Sequence, residues 1–186
     1  VMLANNEIGM IAPIKEMCER AHNVGAVFHS DMVQCLGKLS FSLKDLNVDM
    51  ASFSSHKVYA LKGAGALYVK KGTPFSALTV GGSQERGRRA GTENLAAVAS
   101  FSHMVGQLNP ESFKENLAPL RNEFEAWIKE NIEGVRILGD KVDRLPNTTC
   151  FLVDSVNAEM MLMNLDIRGF SVGTGAACSS GNPEPS

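Results

Sequence analysis

The stretch Pro13–Asp31, PIKEMCERAHNVGAVFHSD, places a helix signal directly against a strand signal. Pro13 suits the start of a helix, where its missing N–H costs nothing. Ile14, Met17, Cys18 and Ala21 then share one face, and Gly25 supplies the stop. AVFHSD follows as a short strand of apolar and aromatic residues ending at Asp31. Downstream, SLKDLNVD reads as a short helix or turn, and MASFSSHK as a second strand ending near Lys57. GALYVKK, after Gly63 and Gly65, reads as a third. Helix–strand units with short connections predict an α/β layer with a mainly parallel sheet. In such sheets ligands sit beyond the carboxyl ends of the strands, which is where Asp31 and the SSHK group fall.

Beyond the glycine-rich segment GGSQERGRRAGTEN (81–94) the pattern turns helical. Leu95, Val98, Ala99 and Ser102 share a face. NPESFKENLAPLRNEFEAWIKENIEG opens with Asn109 as N-cap and Pro110 as first helical residue. Phe113, Leu117, Leu120, Phe124 and Trp127 follow at steps of four and three, a core-facing stripe, with Pro119 a candidate kink. The remainder reads as strand TTCFLVD, helix AEMMLMNLDIRG with its methionines as packing filler, and strand FSVGT. This organisation divides into residues 1–108, part of a large domain, and residues 109–186, part of a smaller α+β domain. The chain starts on an apolar run without Met and stops on NPEPS, which reads as an internal piece of a longer protein.

Composition narrows the possible functions. The chain has 186 residues, 44% hydrophobic and 20% charged, enough to bury a core. A net charge of -2 offers no general basis for binding nucleic acid or an anionic membrane; Arg86, Arg88 and Arg89 are the local exception. That segment lacks the GK[ST] ending of a phosphate loop and the interleaved aromatics of an RNA surface. No apolar run approaches the roughly 20 residues that span a bilayer, and VMLANNEIG has no features of a signal peptide. Cys18, Cys35, Cys150 and Cys178 are widely spaced, which favours a reducing, cytoplasmic setting. Without a CxxC or HxxxH pair there is no case for structural zinc. His22, His29 and His103 read as surface or satisfied core histidines, and Cys18, Cys35 and Cys150 as buried thiols.

Lys57 is more informative. Alone, a lysine at a strand end is a solvated charge, but it follows Ser54, Ser55 and His56, and Asp31 stands at another strand end. An acid to keep a pyridine nitrogen protonated, a lysine to form a Schiff base and small donors for a phosphate are the parts that pyridoxal phosphate chemistry requires. Cys178 stands apart from the other thiols. Gly173, Gly175, Ala176, Ala177, Ser179, Ser180 and Gly181 offer it little apolar surface, which predicts a flexible loop and an accessible thiol.

Taken in order, NNEIG, HSDMVQ, SFSSHK, KGAGALYV, GGSQERGRRAGTEN and GAACSSG resemble the pyridoxal-phosphate-dependent cysteine desulfurases of iron–sulfur cluster and nitrogenase assembly, within the class V aminotransferase superfamily. The likeness covers nearly the whole chain. It implies a fold-type-I transferase, with residues 1–108 in the cofactor-binding domain and the cysteine loop in the smaller one. By resemblance, Asn6 would contact the cofactor's phenolic oxygen and the substrate, Asp31 would pair with the pyridinium nitrogen, and Gln34 would hydrogen-bond the phenolic oxygen. Ser54 and His56 would hold the phosphate, and Lys57 would carry the cofactor. Thr92 would reach the phosphate of a neighbouring subunit's cofactor, implying a homodimer with shared sites; its alternative reading is an ordinary N-cap. The Cys178 thiolate would attack the sulfur of bound L-cysteine, keep it as a persulfide, release alanine, and pass the sulfur to an iron–sulfur scaffold or other acceptor protein. Its only metal contact would be transient, through that persulfide.

Some positions depart from the family pattern. Met32 replaces a small residue that packs on the cofactor ring, and Tyr59–Gly63, YALKG, replaces the usual Gly-Pro pair. The family's cofactor-stacking histidine, an upstream phosphate-binding threonine and the carboxylate-binding arginine have no counterpart in these 186 residues. The piece alone is therefore expected to be inactive. An aminotransferase or selenocysteine lyase of the same fold is the near alternative, disfavoured by the Cys178 loop. A non-catalytic scaffold is the distant one, disfavoured by Lys57, Asp31 and Cys178 together.

Overall fold

The computed structural model describes residues 1–175; Cys178 and its loop lie outside the described residues. The chain divides into two units. Unit 1 comprises Val1–Ala4 and Ala12–Lys114; unit 2 comprises Asn5–Ile11 and Glu115–Ser186.

In unit 1, α1 (Ile14–Asn23) begins directly after Pro13 and buries Ile14 and Cys18. The chain then turns at Gly25 (φ +73°) into β1 (His29–Asp31). Ser42 caps α2 (Leu43–Leu46) by accepting the Asp45 N–H, and β2 (Met50–Ser54) follows. β1 and β2 pair in parallel, placing Asp31 opposite Ser52. β3 (Gly65–Val69) pairs with β2 antiparallel, so the three-stranded sheet, in the order β1-β2-β3, is mixed. The physical reason is the short connection. Only Ser55–Ala64 joins β2 to β3, whereas a parallel crossover needs about a dozen residues or more.

Asn94 caps α3 (Leu95–Val105) through the Ala97 N–H. The face carrying Leu95, Val98, Ala99 and Ser102 is present but points outward; the helix buries Ala97 and Phe101 instead. Phe101 packs with Val58 and Ala60, and Leu36, Phe53, Met104 and Leu108 surround them, which fixes the rotation of the helix. α4 (Pro110–Asn131) starts as its Asn109 cap predicts, with the Ser112 N–H on Asn109 Oδ1, and continues through Pro119.

In unit 2 the expected stripe on α4 is displaced. Leu120, Phe124 and Trp127 are exposed, and the helix buries Glu125 and Ile128. Glu125 is drawn inward because Arg144 and Thr149 meet its carboxylate, an outcome that a rule placing only apolar residues inside does not foresee. β4 (Val135–Ile137) and β5 (Phe151–Val153) form an antiparallel pair. α5 (Ala158–Ile167), capped by Asn157, buries none of its residues among those described, so its methionines are not core filler. Its apolar residues run around the whole helix, and one packed face cannot cover them all. Phe170–Thr174, expected as a strand, has no strand pairing among the described residues.

Candidate active site

At the end of β1, Asp31 is held by the backbone on both sides. Its N–H donates to the Val1 carbonyl, and its own carbonyl accepts the Leu3 N–H. The side chain accepts the Val33 N–H at 2.9 Å, which fixes the half-buried carboxylate just beyond the strand. The chain then coils through successive turns: Met32 N–H to the Ser52 carbonyl, Cys35 N–H to Met32, and Lys38 and Leu39 N–H both to Cys35. Gln34 lies on this coil and its Oε1 accepts from Lys38 Nζ at 3.0 Å.

Past β2 the backbone tightens into a 3-10 turn, Ser55–Val58. Ser54 Oγ and His56 Nδ1 are 2.7 Å apart. Ser55 is fully buried, with Oγ 2.7 Å from the carbonyls of both Leu61 and Ala64; its N–H also donates to Ala64. One hydroxyl thus closes the whole Ser55–Ala64 loop, while Val58 and Ala60 anchor it in the core. Lys57, half-buried, projects from a turn braced on both sides.

Among the described residues neither Asp31 nor Lys57 is spent in an ion pair. A fixed acid, an uncommitted amine and a Ser–His pair at the ends of neighbouring parallel strands form a donor set that fits a phosphorylated pyridine aldehyde. Two departures from the family pattern acquire a structural meaning. Met32 is fully buried, so its bulk is taken into the core of unit 1. Ala60 occupies the core without a left-handed backbone, while Tyr59, 88% exposed, takes the positive φ of +63°.

Asn6 and Thr92, also predicted, stand on other segments of the chain. Asn6 is in unit 2, exposed on a turn organised by Asn5, whose Oδ1 accepts the Glu7 and Ile8 N–H groups at 2.9 Å. Gly9 closes that turn at φ +74°, with Thr148 so near that a Cβ would meet it at 2.8 Å. Thr92 is exposed, and because Asn94 caps α3, Thr92 has no capping duty. Arg86, Arg88 and Arg89 are exposed on their loop.

The other thiols are quiet. Burial pushes Cys35 up to about 12, with Asp31 adding to the rise against the nearby Lys38. Burial likewise raises Cys18, helped by Asp49, and raises Cys150, which is only half-buried. Protonated thiols are poor nucleophiles at neutral pH. His22 is satisfied by Asp49 at 2.7 Å, and His29 by Ser52 at 2.7 Å. No group of three or more His, Cys, Asp or Glu side chains arranged to hold a metal occurs among the described residues.

Lys38 is the residue that sequence reasoning missed. Its burial, and after that the charge of Lys57, lower its pKa, so it shares the electrostatic environment of the site. The available signal was its spacing, four residues after Gln34.

Comparison with known proteins covers nearly all of the chain. The aminotransferase class-V family model matches residues 1–185. Cysteine desulfurase of Cereibacter sphaeroides is 42% identical over 186 residues, all of this chain and 48% of that protein. The Bradyrhizobium diazoefficiens cysteine desulfurase is 44% identical over 190 aligned positions, again 100% of this chain and 48% of the relative. Among solved structures, a NifS-like protein from Rickettsia africae superposes with a TM-score of 0.87 at 31% identity, covering 94% of this chain and 49% of that one. The chain spans about half the length of the curated relatives it matches.

Proposed function

This chain belongs to the aminotransferase class-V family, and on that premise we propose that the protein it represents is a cysteine desulfurase. It removes sulfur from L-cysteine, releases L-alanine and holds the sulfur on Cys178. The observation that carries the reading is the placement of Asp31 at the end of one strand and Lys57 on the turn that follows its parallel neighbour, neither spent in an ion pair with a described residue. Identities of 42% and 44% to proteins named cysteine desulfurase support the choice of reaction.

The residues divide the work. Asp31, its carboxylate fixed by the Val33 N–H, holds the proton on the ring nitrogen of the cofactor. Ser54 and His56 would bind the phosphate, and Lys57 would be the point at which the cofactor is held. Gln34 meets the phenolic oxygen, and Thr92 serves the neighbouring protomer of a homodimer. When bound, pyridoxal phosphate supplies an electron sink for the charge that develops on the substrate. The Cys178 thiolate attacks the substrate sulfur: an S–S bond forms as the C–S bond breaks, and the carbon left behind takes up a proton on the way to alanine. The persulfide then passes to an acceptor protein, an iron–sulfur scaffold being the fitting class, in the cytoplasm. No described helix is long and apolar enough to cross a membrane. Residues 1–108 belong to the cofactor-binding domain and 109–186 to the smaller one.

The test uses the full-length protein loaded with pyridoxal phosphate and given L-cysteine. Equal release of alanine and sulfide is expected, abolished by Cys178→Ser with the yellow colour retained. Full sulfide release from that variant sinks the desulfurase reading. A wild type that never takes up colour favours a non-catalytic scaffold.

A further inference from the structure

We propose that Lys38 is a positioning residue of the cofactor site: by donating to Gln34 Oε1 it fixes the Gln34 amide so that its Nε2 hydrogens face the cofactor's phenolic oxygen. The inference rests on the reading above and concerns a residue to which that reading gives no role.

The two ends of an amide differ in chemistry. Gln34 carries an acceptor and a double donor of nearly the same shape, and either end can turn toward a ligand. Lys38 has donors only, so the atom it touches at 3.0 Å is the oxygen. With Oε1 taken, the free end is the NH2 group. A phenolic oxygen beside a cationic nitrogen is an acceptor, and only the NH2 end satisfies it. Lys38 thus converts an ambidextrous side chain into a dedicated donor.

Lys38 is itself well placed. Its N–H donates to the Cys35 carbonyl, and its side chain is half-buried. Gly37, at φ +77°, lets the turn lie so close to Leu108 that a Cβ would meet that side chain at 2.8 Å. A rigid turn therefore carries the ammonium group to Gln34. Lys57 and Cys35 are the titratable groups that act on it, and Asp31 in turn acts on Cys35.

A donor on the phenolic oxygen draws electron density from it, so the nitrogen joining Lys57 to the cofactor releases its proton at lower pH. The experiment is a pH titration of the yellow colour in full-length holoprotein, comparing wild type, Lys38→Met, Lys38→Arg, Gln34→Met and the Lys38→Met/Gln34→Met double variant. Lys38→Met is expected to raise the midpoint by about half a pH unit or more, roughly threefold in proton affinity. Lys38→Arg, which keeps donors and charge, is expected to restore the wild-type midpoint. In the Gln34→Met background the Lys38→Met rise is expected to vanish. An unchanged midpoint in Lys38→Met overturns the proposal, and so does an equal rise with Gln34 absent, which would mark a direct charge effect. Lys38→Ala carries the same expectation where the methionine variant does not fold. A wild type that binds no cofactor overturns the desulfurase reading instead, so the two failures are distinguishable.

Discussion

Two polar clusters of this molecule differ in how far their bonding capacity is used. In unit 2, Arg144 grips Glu125 with both guanidinium ends at 2.9 and 2.8 Å, Thr149 Oγ1 adds a third bond at 2.8 Å, and Arg121 is taken by the Leu145 carbonyl at 2.7 Å. The Arg144 and Glu125 side chains are only 5% and 10% exposed. In unit 1, Asp31 and Lys57 at the strand ends are half-buried and lack any ion pair to a described residue. The first cluster holds a domain together and has little capacity left for a ligand. The second is braced by backbone and by the buried Ser55, and its side chains remain available. Strong electrostatics alone does not mark a functional site; unspent, well-braced groups do.

The largest effect is expected at Lys57: in full-length protein, Lys57→Ala should lose the yellow colour completely, read by absorbance after gel filtration, while folding is preserved. Colour that survives would remove the ground for treating the strand ends as the site. Next, Arg144→Met should cost about 3–5 kcal/mol in urea denaturation, because it strands the buried Glu125 carboxylate. Combining it with Glu125→Leu should recover most of that loss, since an apolar pair needs no desolvation. A single-variant cost below about 1 kcal/mol would place the cluster with weak surface pairs.

A smaller effect is expected at Tyr59. Its left-handed backbone, φ +63°, strains any residue with a Cβ, and its 88% exposed side chain gives little packing in return. Tyr59→Gly should therefore stabilise by about 0.5–1 kcal/mol in the same assay. The smallest expected effect is acid sensitivity. Burial works to raise Glu125, but the bonds from Arg144 and Thr149 outweigh it and hold the carboxyl below its usual range. Asp49 is lowered in the same sense: burial is overcome by the Phe28 N–H and His22. Both carboxyls bind protons less tightly folded than unfolded. Their contribution is therefore full above the ordinary carboxyl range near about pH 4 and is lost as pH falls through the lower folded values. Glu125→Gln should flatten that acid limb in a stability-versus-pH series, and an unchanged slope would show that the carboxylate carries none of it.

Much of unit 1 was legible because its signals are local. Pro13 and Gly25 bound α1, Ser42 caps a short helix, and Asp31 ends β1 where the apolar run ends. The direction of β3 was not legible, because strand direction depends on the length of the intervening loop, and residues 55–64 are too few for a crossover. The core-facing side of α4 was misread, and that of α3 was not legible, for another reason. Periodicity says which residues share a side, not which side meets the core; Phe101 and Glu125 were selected by what packs against them.

The motif order, from NNEIG to GAACSSG, and the placement of an acid and a lysine near successive strand ends follow from residue type and spacing along the chain. Folding in three dimensions was needed to bring Ser55 across the Lys57 loop, Glu125 onto Arg144, and Lys38 to Gln34. Hydrogen bonds and burial are set by groups that folding brings together, and except for the Lys38–Gln34 spacing no local pattern announces them.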